Sequence, residues 1–171
     1  MNLENLEVRI KEPYPEIVNA EPNRETVCIL KNLFTSRKSE LTAVLQYAFQ
    51  SVIADITNPE IAEILEEISI VEMMHLHLLM HATTKFGGVP RYEDCQGNYF
   101  NSNAVYTSTK LKEMLEANII AEKQAIEEYK KAASRVENES LKNLFNRIIK
   151  DEEQHIKVFN YIKDNVNFLS I

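Results

Sequence analysis

Several common residue types are scarce in this chain of 171 residues. It has no tryptophan, two cysteines, three glycines and five prolines. Few glycines and prolines leave long stretches uninterrupted, which predicts long regular elements. Two cysteines cannot supply the four thiolates of a cysteine-bound iron or zinc site. We expect Cys28 to be a small buried apolar side chain and Cys95 to be a loop thiol, with a thiol redox couple as the alternative.

Long apolar runs and an excess of basic charge are also missing. No run of about 20 apolar residues could cross a membrane, and the amino terminus lacks the basic-then-apolar build of a signal peptide. The net charge is −7, without a lysine- or arginine-rich tail. We therefore expect a soluble, cytoplasmic protein that binds neither nucleic acid nor membranes, and whose acidic field favours the approach of metal cations.

What the sequence does contain is one pattern that occurs twice: a glutamate on one predicted helix, then Glu-x-x-His on the next. Residues three positions apart leave the same face of a helix, and the inward-facing stripes around these residues are mostly apolar. Four buried carboxylates without cations would be a costly like-charge cluster, whereas two divalent metal ions would neutralise them. The candidate ligands are Glu40, Glu72, His75, Glu122, Glu152 and His155.

Hydrophobic periodicity and helix-boundary residues predict a bundle of four long helices. The expected helical ranges are about 24–55, 59–86, 107–135 and 139–164. Asn58-Pro59 and Asn138 are expected to start the second and fourth helices, and Gly87-Gly88 to end the second. The stretch 89–106 has no helical period, and its length suits a crossover that makes the second and third helices parallel. We therefore divide the chain into an extended arm (1–22), the bundle (23–165) and a tail (166–171).

Two tyrosines occur two helical turns after a candidate ligand, Tyr47 after Glu40 and Tyr129 after Glu122. We expect each phenol to lie almost above the glutamate of its own helix. There it would serve as a hydrogen-bond partner of the ligands or as a one-electron donor. The alternative is a core tyrosine whose hydroxyl finds some other partner.

From about Arg24 to Asp164 the chain resembles the ferritin-like di-iron carboxylate superfamily, which includes bacterioferritins, rubrerythrins and manganese catalases. The resemblance implies an all-α, ferritin-like four-helix bundle in which Glu72 and Glu152 bridge two metal ions. It also implies that Glu40 with His75, and Glu122 with His155, are the terminal ligands. The segments that carry it are Ser39-Glu40-Leu41, Gln46-Tyr47, Val71-Glu72-Met73-Met74-His75, Ala121-Glu122 and Asp151-Glu152-Glu153-Gln154-His155. The run from Gly87 to Tyr92 also resembles spore-coat proteins related to manganese catalases.

The chain departs from the named families at several points. Ala125 stands where rubrerythrins usually have a second glutamate, and a rubredoxin-like four-cysteine domain is missing. Few residues follow His155, so we expect neither a fifth helix nor a ferritin-type storage shell. Met73 occupies the position of the haem-binding methionine of bacterioferritins, but packing is the commoner use of methionine and we do not expect haem. His77 and His81 are expected to be surface or interface residues.

The sequence thus predicts a non-haem dinuclear metal protein with two iron ions per chain, or manganese as the alternative. We expect redox chemistry on hydrogen peroxide or dioxygen, of the peroxidase or ferroxidase type, with electrons from an external donor. The alternatives are iron storage, a manganese catalase, and a spore-coat-like bundle in which metal stabilises the fold. A homodimer or other small homo-oligomer is expected.

Overall fold

The computed structural model describes residues 6–166, and this part of the chain contains five α-helices and one short 3-10 helix but no β-strand. The predicted all-α bundle is confirmed, with the first predicted helix divided into α1 and α2. Residues 1–5 of the predicted arm and 167–171 of the predicted tail lie outside the described residues. The α-helices are α1 (Arg24–Thr35), α2 (Glu40–Asp55), α3 (Pro59–Lys85), α4 (Leu111–Arg135) and α5 (Glu139–Asn165).

The prediction of one continuous first helix over 24–55 is wrong. Ser39 caps α2 because its hydroxyl oxygen accepts a hydrogen bond from the backbone N–H of Thr42, while the Thr42 hydroxyl donates to the carbonyl of Ser36. Serine and threonine hydroxyls compete with the backbone in this way and favour helix ends over helix interiors. The break makes Glu40 the first residue of α2, where the partial positive charge of the helix end favours a carboxylate.

Most other helix ends follow the predicted signals, but α4 begins at Leu111 and not near the predicted position 107. Asn138 caps α5, since its side-chain oxygen accepts from the N–H of Leu141 at 2.9 Å. α3 ends at Lys85, and two residues later Gly87 has a φ of +81°, the left-handed conformation that glycine adopts without strain. A Cβ on Gly88 would lie 2.7 Å from a methyl carbon of Val27, so the close packing of α3 against α1 requires glycine there.

The long helices form two pairs, in which α2 packs along α3 and α4 packs along α5. Two apolar clusters fill the bundle, one on each side of the level at which the candidate ligands occur in the helices. One cluster includes Leu30, Phe34, Leu79, Phe145 and Ile148, and the other includes Leu65, Ile68, Leu115, Phe159 and Ile162. Burial of these side chains supplies the main driving force for folding and surrounds the ligand level with a medium of low polarity.

The connection between α3 and α4 covers residues 86–110 and is tied to α1 by a disulfide between Cys28 and Cys95. The expectation of two unpaired thiols is therefore wrong. The two cysteines are 67 residues apart in sequence, and only the path of the connection brings them together. A second link between α1 and the connection is an ion pair of 3.0 Å between Lys31 and Glu93, which are close in sequence to Cys28 and Cys95. Disulfides are rare in the reducing cytosol. The cytoplasmic location expected from the sequence stays a prediction.

The N-terminal residues 6–23 have no helix and run over α5 and the end of α3. Val8 and Ile17 are buried against the bundle. Gln154 donates to the carbonyl of Glu7 at 2.7 Å, and Lys85 donates to the carbonyl of Ile17 at 2.7 Å. These contacts hold the segment on the bundle. In the described part of the chain, no helix has both the length and the apolar character needed to span a bilayer.

Candidate metal centre

The structure brings all six predicted ligands together in the middle of the bundle. Each is at most 4% exposed. Their ligand atoms form two groups, in each of which one atom per residue lies within 4.8 Å of the others. Both groups contain Glu72 and Glu152, the two residues for which the family resemblance implies a bridging role. The groups are Glu40, Glu72, His75 and Glu152, and Glu72, Glu122, Glu152 and His155.

The distances show how the two shared carboxylates are divided. His75 Nδ1 lies 3.2 Å from Glu72 Oε2 and 3.4 Å from Glu152 Oε1. His155 Nδ1 lies 3.1 Å from the other oxygen of each, Glu72 Oε1 and Glu152 Oε2. Each of the two glutamates therefore presents one oxygen to each histidine, which is the arrangement that a bridging carboxylate requires.

The remaining two glutamates belong to one half each. Glu40 Oε2 lies 3.7 Å from His75 Nδ1, and Glu122 Oε1 lies 3.6 Å from His155 Nδ1. Both histidines thus turn Nδ1 toward the carboxylates. Each half has one terminal glutamate, one histidine and a share of both bridging glutamates.

Burial and mutual charge shift the pKa values of this cluster strongly. Burial raises the pKa of Glu122 to about 8, and the charges of Glu72 and Glu152 add to the shift. Burial, followed by the charge of Glu72, raises the pKa of Glu40 well above its usual value. Burial alone would lower the pKa of both histidines, but the surrounding carboxylates outweigh it and raise both values. Without metal ions, protons on these groups offset the negative charge.

The pKa of Glu72 is lowered, whereas the pKa values of Glu40 and Glu122 are raised. Burial would raise its pKa, but the close contacts with the positively charged His155 and His75 outweigh burial and hold the pKa of Glu72 below its usual range. Glu72 is thus the carboxylate that stays ionised between the two imidazoles.

Several buried polar atoms of the cluster lack hydrogen-bond partners within residues 6–166. They are Glu72 Oε1, both carboxylate oxygens of Glu152 and both ring nitrogens of His155. A buried polar atom without a partner costs about 1–3 kcal/mol. Metal ions bound by these oxygens and by Nδ1 of His155 would remove most of that cost. The donor set of carboxylates and imidazoles, with no thiolate, suits iron and manganese. The residues therefore fit a dinuclear site.

The two predicted tyrosines reach the centre, but each contacts the glutamate of the opposite half. The Tyr47 hydroxyl donates to Glu122, and the Tyr129 hydroxyl donates to Glu40. Both phenols are thus hydrogen-bond partners of candidate ligands, as expected. Seven residues span about 10 Å along a helix, so each phenol contacts the glutamate of a facing helix and not that of its own helix. Burial raises the pKa of both phenols, followed by the charge of the glutamate that each contacts.

Three further residues next to His75 had no role in the sequence-based prediction. Asp151 Oδ2 lies 3.2 Å from His75 Nε2, and Tyr14 donates to the same oxygen at 2.6 Å. Arg147 Nη1 lies 2.8 Å from that oxygen as a charge contact without hydrogen-bond geometry. The spacing of Arg147 and Asp151, four residues apart on α5, is the one signal in the sequence that could have indicated the pair.

A fully buried amide network also lay beyond sequence reasoning. The side chains of Gln46 and Gln50 on α2 both donate to Asn118 Oδ1 on α4 at 3.0 Å, and Asn118 returns a hydrogen bond to Gln50. Gln46 also accepts from the backbone N–H of Tyr106, at the end of the long connection. The network links α2 to α4 next to the ligand level and fixes the connection above it.

A cavity of about 170 Å³ between α2 and α4 reaches the ligands from the surface. The four candidate glutamate ligands lie at its inner end, and exposed Lys38 and half-buried Glu128 lie at its outer end. Alanines at 43, 117, 121 and 125 line its walls. Ala125, where a second glutamate is usual in rubrerythrins, leaves this passage open instead of placing another carboxylate in it.

Met73, His77 and His81 on α3 are exposed and do not belong to this cluster. The two histidines are thus surface residues, as predicted.

The comparisons with known proteins agree with this geometry. The rubrerythrin family model matches residues 31–163, while no curated protein matches the chain. Among solved structures, a manganese catalase from Anabaena has a TM-score of 0.80 at 24% identity, over 95% of this chain and 84% of that one.

Two bacterioferritins are also similar in structure. The Rhodobacter capsulatus protein, described with a metal-free dinuclear site and haem iron, has a TM-score of 0.70 at 23% identity, over 82% of this chain and 84% of that one. The Desulfovibrio desulfuricans protein, described with a diiron site, has a TM-score of 0.69 at 24% identity, over 84% and 85%. These likenesses show a shared fold and confirm the predicted ferritin-like bundle.

The matched range 31–163 contains all six candidate ligands and most of the chain. Glu40, Glu72 with His75, Glu122, and Glu152 with His155 occur in it in the order that the superfamily pattern requires. The chain therefore belongs to the rubrerythrin family.

Proposed function

We propose that this protein is a non-haem dinuclear metal redox protein that reacts with hydrogen peroxide or dioxygen. The observation that carries the proposal is the division of the Glu72 and Glu152 oxygens between His75 and His155. Two carboxylates shared between two nitrogen donors support a pair of adjacent ions better than they support one ion or a structural salt bridge.

When bound, two adjacent redox metal ions supply one electron each, enough for the two-electron reduction of a peroxide. The protein's residues would hold and orient that pair. Glu40 with His75 and Glu122 with His155 would hold the ends of the site. The Tyr129 and Tyr47 hydroxyls orient the two terminal glutamates through their hydrogen bonds. The apolar clusters exclude bulk water, and the passage between α2 and α4 admits small molecules.

We propose iron as the resident metal and an external protein or small molecule as the electron donor. The donor must be external because the described chain has no thiolate site that could hold an electron-transfer iron, its two cysteines being joined in a disulfide.

A manganese catalase is the second candidate. Its support is the structural likeness to the Anabaena manganese catalase over 95% of this chain, together with alanine at position 125. A catalase needs no reductant, because one peroxide is oxidised to dioxygen while another is reduced to water. The two candidates therefore differ in a quantity that can be measured directly.

Metal analysis and oxidant kinetics test the proposal. Protein from its native host should carry close to two iron or manganese ions per chain. With iron bound and reduced, it should consume hydrogen peroxide faster than dioxygen in stopped-flow experiments and need two electrons per cycle. Sustained oxygen release from peroxide without a reductant would identify the manganese catalase. Rapid dioxygen uptake with a growing ferric mineral would indicate storage, and an intact centre without turnover a structural role.

The crossed tyrosines lead to a prediction about turnover. Tyr47→Phe and Tyr129→Phe should each leave the metal content near that of the wild type, because the phenols contact the terminal glutamates without being needed as ligands. Peroxide turnover should fall by about tenfold to a hundredfold, as is typical when an outer partner of a ligand is lost. Tyr161→Phe, a change at a partly exposed tyrosine on α5, is the matched control. Unchanged turnover in the double variant would refute this role.

We also propose a homodimer formed through α2 and α3. Leu45 and Val52 on α2 and Ile70 and Met73 on α3 are large apolar side chains that remain exposed on two adjacent helices. Exposed apolar surface of this kind marks interaction sites. Light scattering should give a dimer for the wild type and a smaller species for Val52→Lys combined with Ile70→Lys. Val89→Lys, at an exposed position in the connection, should leave the dimer intact. A wild-type monomer or a large shell would contradict this assembly.

A further inference from the structure

The two histidines of the metal centre are held differently on the side that faces away from the carboxylates. His75 Nε2 lies 3.2 Å from Asp151 Oδ2 and 3.2 Å from the Tyr14 hydroxyl. His155 Nε2 is buried and has no hydrogen-bond partner in residues 6–166. The His75 imidazole therefore has hydrogen-bond partners at both nitrogens, whereas the His155 imidazole has only charge contacts with carboxylates, at Nδ1.

This difference begins in the sequence. Asp151 stands directly before the bridging Glu152, whereas the residue directly before the bridging Glu72 is Val71. The valine side chain has no polar atom, so the first half of the repeat cannot offer a carboxylate to His155 from the equivalent position. The two halves match in their six candidate ligands but not in the residues that support them.

The support of His75 depends on the N-terminal segment. Tyr14 donates to Asp151 Oδ2 at 2.6 Å, and the backbone N–H of Ile10 donates to Asp151 Oδ1 at 2.8 Å. Arg147, which is only 4% exposed, donates to the carbonyls of Ile10 and Glu12 at 2.6–2.9 Å. Its guanidinium carbon also lies 4.5 Å from the centre of the Tyr14 ring. Hydrogen bonds thus hold residues 10–14 against α5 at the level of the metal centre.

The contacts around Asp151 form one connected set. Tyr14 and the backbone N–H of Ile10 donate to its two carboxylate oxygens, and His75 Nε2 lies next to one of these oxygens. A carboxylate beside Nε2 favours a proton on that nitrogen and leaves Nδ1 to face a metal ion.

We propose that the N-terminal segment completes one half of the metal centre, with Tyr14 as a positioning residue that holds His75 through Asp151. The ion position formed with Glu40 and His75 is then the tighter of the two. The physical reason is that a ligand already held in its binding orientation loses little freedom when a metal ion arrives. Within residues 6–166 His155 has no such support, so it loses more freedom when a metal ion binds. This inference rests on the proposed function, because it requires two bound ions.

Calorimetric titration of the metal-free, full-length protein with Mn²⁺ in the absence of oxygen tests the inference. The wild type should bind two ions with unequal affinities. His75→Ala should remove the tighter event and His155→Ala the weaker one. Tyr14→Phe should lower the tighter binding constant by about tenfold to a hundredfold and leave the weaker constant unchanged.

A second contact of the same segment provides the control. Ser140 accepts from the backbone N–H of Val18 at 3.0 Å, and Val18 lies beyond the residues that contact Asp151. Ser140→Ala loosens the segment without touching His75 and should change neither binding constant. Equal wild-type affinities, a loss confined to the weaker site, or the same loss in Ser140→Ala would overturn the role of Tyr14. No binding of Mn²⁺ or Fe²⁺ by the wild type would instead refute the proposed function.

Discussion

Glu72→Ala combined with Glu152→Ala should abolish most metal binding and remove most of the stability that metal ions add. These two carboxylates occur in both ligand groups, so their loss leaves each ion position with one glutamate and one histidine. An ion present at a hundredfold excess over its Kd stabilises the folded state by about 2.7 kcal/mol. For a domain of this size, that corresponds to roughly 5–10 °C in Tm for each ion.

The measurement is metal content by elemental analysis, together with Tm in the presence and absence of Mn²⁺. The wild type should show a large rise in Tm on metal addition, and the double variant almost none. Glu153→Ala changes an exposed glutamate next to Glu152 that takes no part in the cluster, and it should behave like the wild type. Two ions per chain retained in the double variant would disprove the ligand assignment.

The metal-free protein should lose stability as the pH rises from mildly acidic to alkaline, whereas metal affinity should increase over the same range. Glu40 and Glu122 have raised pKa values in the folded state. Each therefore stabilises the fold below the unfolded pKa of about 4.5, and this contribution is lost as the pH rises through the folded pKa, which is about 8 for Glu122.

The two histidines act in the same direction. Their raised pKa values give a stability that is complete below about 6.5 and is lost as the pH rises through the folded values. Glu72 acts oppositely, since its lowered pKa gives a stability that is present above about 4.5 and is lost in acid. We expect the metal-free stability to be highest in the mildly acidic range and to fall by a few kcal/mol toward alkaline pH.

Metal ions must displace the protons that balance the cluster, so binding should release protons and strengthen with pH. Denaturation of the metal-free protein at several pH values measures how its free energy of unfolding falls as the pH rises. Calorimetry with Mn²⁺ in buffers of different ionisation enthalpy measures the proton release. Glu122→Gln removes one titrating carboxyl and should flatten the decline in metal-free stability above pH 7. A metal-free protein that becomes more stable up to pH 9, or metal binding without proton release, would contradict this description.

Much of this protein could be predicted from short-range patterns. Helical periodicity and the end signals at Asn58-Pro59, Gly87-Gly88 and Asn138 predicted α3 and α5 closely, because these signals act within one or two turns. The candidate ligands could be recognised for a similar reason. A charged residue in the middle of an apolar helical stripe is costly to bury, so six of them in a repeated order already indicated a metal site.

Other features depended on groups that meet only in the folded chain. The break before Glu40 depends on hydroxyl contacts among Ser36, Ser39 and Thr42, which helix periodicity does not register. The disulfide of Cys28 with Cys95 depends on the path of a long connection. The crossed contacts of Tyr47 and Tyr129 depend on which helices face each other across the site.

The sequence by itself determined the helices, the apolar faces and the six candidate ligands, because helix formation and amphipathic burial depend on neighbours within a few residues. Only the tertiary structure decided that Glu72 and Glu152 each present one oxygen to each histidine. It also decided that a passage stays open beside Ala125 and that Asp151 and Tyr14 hold His75. Tyr14 and Asp151 are 137 residues apart in sequence. Contacts at such a separation are set by how helices and the N-terminal segment pack together, which no local pattern specifies.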